Sequence, residues 1–162
     1  HEALRAQHPG ALLLIAPRVP TRGAEVLALC PEGTLQRSVD PSTPPGAGAS
    51  VYLADTIGEL GLWYRLAPVA LVGGSIAEVG GHNPHEPLAL GCAVLHGPNV
   101  WNFSESYAEL DAQGLSHPIG NADELAEAVQ AHWRSAQTRT PHRPRDPKIE
   151  AMVKQLDALL RT

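Results

Sequence analysis

Pro17-Arg18, Asp55-Thr56-Ile57-Gly58-Glu59 and the run from Gly73 to Pro87 carry the residue types best suited to holding an anion or a sugar. In the last of these, Gly73-Gly74 and Gly80-Gly81 flank a short loop that opens into a helix behind Asn83-Pro84. Asn is a favoured helix cap, and Pro suits the first helical position because its missing N–H has no intrahelical partner there. Glycines ahead of a helix let the backbone approach a ligand, and the free N–H groups and dipole attract negative charge. Glu86 falls in the first turn, where it either accepts two ribose hydroxyls or merely complements the dipole; the glycine density favours the ligand. Arg18 offers a planar charged fork for phosphate, against the alternative of an ordinary surface arginine. Thr56 either serves as an ordinary helix cap or leaves Gly58 and neighbouring N–H groups open to an anion.

Several sharper chemistries are absent. His82, His85 and Glu86 follow neither the HExxH nor the HxxEH order, and no third ligand is marked, so no metal site is expected. His82 reads as a cap-side residue and His85 as solvent-facing or packing. Ser75 lacks the GxSxG spacing of a nucleophile elbow and reads as a loop residue offering its hydroxyl or N–H. GxxxxGK[ST] and GxGxxG are both missing.

The elements that must position these residues alternate between strands and helices. Ala11 to Ala16 is a continuous apolar run bounded by Gly and Pro, as expected of a strand buried on both faces. Thr21 caps a short helix to Leu29, Leu35 to Val39 alternates as a strand, and Asp40 to Ala49 is a Pro- and Gly-rich loop. Val51 to Ala54 and Val69 to Val72 are strands on either side of a helix from Ile57 to Leu66. Ala93 to His96 follows the short helix Glu86 to Leu90. A helix from Asn102 to Gln113 leads to an edge strand near Leu115 to Ile119, then to a helix capped by Asn121 and running to about Trp133. The polar stretch Ser135 to Pro147 reads as a connector, and Lys148 to Leu160 as an amphipathic closing helix. This alternation implies an α/β fold with a Rossmann-like, doubly wound parallel sheet, in which ligands bind at the carboxyl ends of strands. All three candidate segments leave such ends.

The 162 residues suit one domain, with residues 136–162 as connector and closing helix. The formal net charge of -5 argues against a nucleic-acid surface. No apolar run is long enough to span a bilayer, and no signal peptide is visible. Cys30 and Cys92 lack CxxC spacing and read as packing residues. The opening His, in what reads as the tail of a helix, suggests a fragment of a longer protein.

Ala16-Pro17-Arg18, Asp55 to Leu60 with Tyr64, Val72 to Ser75, Gly80 to Pro87, and Gly97-Pro98 with Asn102-Phe103 occur in an order that resembles the 3-deoxy-D-manno-octulosonic acid (Kdo) transferases of lipopolysaccharide biosynthesis. The resemblance covers roughly Leu12 to Trp133 and is to the C-terminal half of the family. It implies the donor domain of a two-domain glycosyltransferase of the GT-B type, binding CMP-Kdo. Pro17 and Arg18 would hold the phosphate region, and Ile57, Gly58 and Glu59 would make the helix-start contact with the nucleotide. Gly74 and Ser75 would belong to the loop around it, and Asn83, Pro84, His85 and Glu86 would line the ribose side.

The resemblance further implies inverting transfer of Kdo to a lipid A precursor (lipid IVA) with release of CMP. The catalytic base, the acceptor site and the membrane attachment would lie in an N-terminal half absent here, leaving this fragment inactive alone. Localisation would be the cytoplasmic face of the bacterial inner membrane. No cofactor and no metal are expected. The closing helix would return toward the absent half, with its apolar face partly exposed. Val19-Pro20-Thr21 stands where members usually carry a His and a Glu, Ile57 where Met is common, and His85 where Leu is common. Two other readings remain: a UDP-sugar enzyme of the same fold, such as a UDP-GlcNAc epimerase, and a non-catalytic α/β binding module.

Overall fold

The structure, a computed structural model, describes residues 1–42, 45–46 and 48–138. Its elements run α1 (Glu2–Gln7), β1 (Leu13–Ile15), a 3-10 turn (Pro20–Arg22), α2 (Gly23–Leu27), β2 (Leu35–Gln36), β3 (Val51–Leu53), α3 (Leu60–Leu66), β4 (Val69–Leu71), α4 (His85–Ala89), β5 (Ala93–His96), a second 3-10 turn (Trp101–Phe103), α5 (Ser104–Ala112), β6 (Ser116–Pro118) and α6 (Ala122–Thr138). All strand pairs among the described residues are parallel, which gives the expected α/β class. Among the described residues the strands form two three-stranded sheets, ordered β1-β3-β2 and β4-β5-β6.

The central strands are the buried ones. Val51, Tyr52 and Leu53 of β3 are all buried, and so are Val94 and Leu95 of β5, because both faces and both edges of these strands are covered. Tyr52 and Ala54 pack with Trp63 of α3 against Leu12 and Leu14. Val72 and Val94 pack with Tyr107 of α5 against Leu88, Val100 and Phe103. β1 is less buried than its apolar run suggested: it ends its sheet, and Leu13 is exposed.

Helix boundaries depart from the sequence reading in three places. Thr21 caps nothing; the chain makes a 3-10 turn and α2 starts at Gly23, where a Cβ would lie 2.7 Å from Asp55 Oδ2. A residue with a side chain could not bring the helix so close to that carboxylate. α3 begins at Leu60 rather than Ile57, since the hydroxyl of Thr56 donates to the Glu59 carboxylate instead of capping the backbone. α6 runs on to Thr138, so residues 135–138, read as the start of a connector, are helical. Its cap is as expected: Asn121 Oδ1 accepts the N–H groups of Asp123 at 3.0 Å and Glu124 at 2.9 Å. The rest of the connector and the closing helix lie outside the described residues.

Candidate functional site

Register places the candidate segments. Ile15 pairs with Leu53 in the parallel β1–β3 ladder, so Arg18 and Thr56, each three residues further on, leave neighbouring strands at the same end. Leu71 likewise pairs with Leu95, so the glycine loop and the Gly97-Pro98 segment leave β4 and β5 side by side. α3 packs on α4, which brings the helix after Glu59 against the helix carrying Glu86. The half-buried Tyr64 of α3 records that proximity: burial pushes its phenol up, and the Glu86 carboxylate pushes it further. Two hollows of about 270 and 300 Å³ lie along β2 and between α1 and α6, and no candidate residue lines either. The candidate residues instead occupy an open edge of the domain.

The glycine loop is a tied structure. Gly81 N–H donates to Gly74 O at 2.8 Å and closes the loop on itself. Gly74, Gly80 and Gly81 have φ of 70°, 101° and 77°, a region L side chains rarely enter. A Cβ on Gly80 would overlap the amide of Asn102 and come within 2.6 Å of the Trp101 indole nitrogen. Asn99 Nδ2 donates to Ile76 O at 2.8 Å and Asn102 Nδ2 to Val79 O at 3.2 Å, so the segment after β5 clamps the carbonyls of the loop. The phenol of Tyr107 donates to His82 O at 2.9 Å from below. Burial, then Tyr64 and Asp111, pushes that phenol up to about 12, so it stays a donor.

Ser75, read as a loop residue offering its hydroxyl or N–H, commits the hydroxyl to this clamp. Its side chain is fully buried; Oγ donates to Val72 O at 2.5 Å and accepts the Gly97 N–H at 2.9 Å. Its carbonyl accepts the Asn99 N–H at 2.9 Å. Gly97 is the glycine of closest approach, since a Cβ there would run into the Ser75 carbonyl group.

At the helix entrance, Asn83 Oδ1 accepts the His85 N–H at 2.9 Å, and Pro84 has helical φ and ψ of -81° and -16°. Pro84, not Asn83, therefore stands at the N-cap of α4, one position later than expected, and no side chain at that position caps the helix. Pro84 is buried while His85 and Glu86 are exposed. The ring of His82 covers Gly74, with Nε2 3.2 Å from where a Cβ would stand.

The Asp55 to Glu59 segment holds two carboxylates with different work. Asp55 is buried; it accepts Gln36 Nε2 at 2.6 Å, the Ser38 N–H at 2.9 Å and Ser38 Oγ at 2.7 Å. Burial alone would raise its pKa, yet these hydrogen bonds pull it below the usual value. It joins the ends of β2 and β3. Glu59, expected in the helix-start contact with the nucleotide, has its carboxylate turned back onto the chain. Arg37 Nε donates to Oε2 at 2.9 Å and Nη2 to Oε1 at 2.6 Å, a forked pair, and Thr56 adds its hydroxyl. The Arg37 bond first, then Thr56, lowers the Glu59 carboxyl from 4.5 to about 2. Between them Gly58, at φ 87°, has nothing within 4 Å of a would-be Cβ, and Ile57 is 86% exposed. Arg18 is exposed and has no polar partner among the described residues, while Pro17 is half-buried.

Arg37, Asn99, Asn102 and Tyr107 escaped assignment to the site in the sequence. The signal for Arg37 was one basic residue just past a two-residue strand in register with Leu53, which is faint. The two Asn both follow the Gly97-Pro98 turn that already marked a strand end, a stronger cue. Among the described residues no three His, Cys, Asp or Glu side chains gather as a metal-binding set.

No family model matches the chain. The 3-deoxy-D-manno-octulosonic acid transferase of Haemophilus influenzae is 39% identical over 143 residues, 86% of this chain and 33% of that protein. The transferase of Bordetella pertussis is 39% identical over 118 residues, 71% of this chain and 27% of its own length. A probable mitochondrial transferase of Arabidopsis thaliana is 37% identical over 135 residues, 80% and 30% respectively. The chain therefore spans about a third of the length of the curated relatives it matches. Among solved structures, the C-terminal CMP-Kdo binding domain of WaaA from Acinetobacter baumannii superposes with a TM-score of 0.74 at 31% identity, over 85% of this chain and 74% of that one. With its open parallel sheets and strand-end glycine loop, the chain belongs to the 3-deoxy-D-manno-octulosonic acid transferase family.

Proposed function

We propose that this chain is the donor-binding part of a Kdo transferase and holds CMP-Kdo at the carboxyl ends of β1, β3 and β4. The observation that carries the reading is the match, in fold and in sequence, to a domain named for CMP-Kdo binding. The geometry supports it: Arg18, with no polar partner among the described residues, and an open glycine turn at Gly58 leave adjacent strands, and the Asn83–Glu86 helix entrance follows a tied glycine loop. In this reading Arg18 and Pro17 serve the phosphate, residues 57–58 approach the nucleotide through the main chain, and Glu86 accepts the ribose hydroxyls.

The reaction would pass through an oxocarbenium-like sugar while CMP departs as an anion. Preorganised donors stabilise such a leaving charge without reorganising at the moment of reaction, and Arg18 is the cation placed for it. A carboxylate base outside this chain would activate an acceptor hydroxyl on the opposite face of the sugar, giving inversion. The acceptor would be the lipid A precursor, and the full-length protein would work at the cytoplasmic face of the inner membrane. None of the described helices is long and apolar enough to cross a membrane.

Calorimetric or NMR titration of the 162-residue chain with CMP, UMP and UDP tests the proposal. Saturable binding of CMP is expected, with UMP and UDP weaker and Glu86→Gln reducing the affinity for CMP. Binding of UDP without binding of CMP overturns the reading in favour of a UDP-sugar enzyme. No nucleotide binding at all favours a non-catalytic module.

A further inference from the structure

We infer that Arg37 is a positioning residue for the proposed nucleotide site: laid on Trp63, it grips the Glu59 carboxylate and so holds the Thr56–Glu59 turn in its ligand-ready shape. The inference rests on the nucleotide reading above. It starts from what the turn lacks. Ile57 is 86% exposed and Gly58 has open space around it, so the tip has no packing of its own to fix it. A turn with so little buried surface keeps one conformation only if polar contacts impose it.

Those contacts converge on Glu59. Both carboxylate oxygens are engaged by Arg37, at 2.9 and 2.6 Å, and Oε2 also takes the Thr56 hydroxyl from the other end of the turn. Arg37 is fixed in turn. Its remaining terminal nitrogen donates to Pro41 O, and its guanidinium carbon stands 5.8 Å from the Trp63 ring centre, within cation–π range. The four anchors come from the loop after β2, the β3–α3 turn and α3 itself. An isolated exposed ion pair contributes little, but here the two side chains are 20% and 28% exposed and the geometry is a fork with a stacked plane. The arrangement also reassigns Glu59. With its carboxylate turned back onto Arg37, the face it leaves toward solvent is the main chain at residues 57 and 58. Arg37 therefore acts on a ligand through Glu59 and the turn, without touching it.

A double-mutant cycle in the 162-residue chain separates this role from a general contribution to stability. Arg37→Gln and Glu59→Gln are each expected to weaken CMP binding about tenfold, and the double variant should bind no worse than the weaker single one. Amide hydrogen exchange at residues 57–59 should quicken in Arg37→Gln, while amides of β5 and α5 keep their wild-type rates. Arg37→Lys keeps the charge but loses the fork and should fall between, which keeps the test informative if the Gln variant folds poorly. Wild-type affinity in Arg37→Gln, or losses that multiply in the double variant, overturn the inference alone. A wild-type chain that binds no CMP overturns the nucleotide reading, and this inference with it.

Discussion

Glu59 and Glu86 are both acidic residues at a helix entrance beside glycine, and their surroundings assign them opposite tasks. Glu59 is committed to Arg37 and Thr56, whereas Glu86 is exposed and among the described residues has only the electrostatic neighbourhood of Tyr64. The committed one has a consequence for acid stability. Its carboxyl is lowered from 4.5 to about 2 in the folded chain, so the folded state favours the ionised form. The stabilisation is fully present above the unfolded value and is lost as pH falls through the folded value, that is, from about 4.5 down to about 2. Asp55, also held below its usual value, adds to the same limb. Melting temperatures measured by circular dichroism should therefore fall less steeply across that window in Glu59→Gln than in wild type. The difference should shrink in high salt, because both partners retain solvent contact. Identical slopes in the two proteins would contradict the pairing. Arg18, Asn83 and Glu86 could be singled out from sequence because their neighbours Pro17, Pro84 and the glycine pairs mark strand and helix ends. Arg37 could not, because its importance comes from Glu59 and Trp63, 22 and 26 residues away in the sequence.

At the level of elements, the glycine loop and the segment after β5 form one mechanical unit. Ser75 supplies the hydroxyl that ties Val72 O to the Gly97 N–H, and the Asn99 and Asn102 side chains hold the carbonyls of Ile76 and Val79. Gly97 is the contact point, because a methyl there meets the Ser75 carbonyl, which is backbone and cannot swing away. Gly97→Ala should therefore displace the loop, lower stability by ~1–3 kcal/mol as overpacking does, and weaken CMP binding. Gly91→Ala is the matched control. Its φ of 93° makes Ala costly by ~1–2 kcal/mol, but nothing lies within 4 Å of the new methyl, so CMP binding should be unchanged. Equal CMP affinity in Gly97→Ala and wild type, measured by the same titration, would show that the loop does not carry the ligand. The elements were legible where pattern and environment agree. The buried central strand β3 reads as an apolar run and β5 as one that closes on His96, and Asn121 and Asn83 announce their helices. Legibility failed where a tertiary contact sets the boundary. Gly23 starts α2 because it must lie on Asp55, and Thr56 leaves its cap to serve Glu59. α6 passes Trp133 to Thr138, where the polar composition beyond Arg134 resembled a linker.

For the molecule as a whole, the distribution of carboxylates bears on whether the proposed donor is held with a metal ion. A diphosphate leaving group commonly needs a cation bridged by acidic side chains, whereas CMP leaves with a single phosphate that one guanidinium and main-chain N–H groups can match. The acidic residues nearest the strand ends are largely spoken for. Asp55 is buried under Gln36 and Ser38, Glu59 is gripped by Arg37, and Asp111 takes the Ser116 hydroxyl and stands 3.2 Å from His96 Nε2. Glu86 remains exposed, with His82 and His85 nearby in sequence, and these three do not gather as a metal-binding set. Arg18 instead presents a cation with no polar partner among the described residues at the end of β1, and the formal net charge of -5 makes such a local positive group the natural anchor for an anionic donor. We therefore propose metal-independent donor binding. The affinity of the chain for CMP should be the same with EDTA as without it, and Mg²⁺ or Mn²⁺ should not tighten it by more than about twofold, a free-energy difference below about 0.5 kcal/mol. Arg18→Ala should weaken CMP binding while leaving cytidine, which lacks the phosphate, bound as before. Loss of CMP binding on chelation, restored by one divalent ion, would transfer the phosphate from Arg18 to a metal and overturn this account of the site.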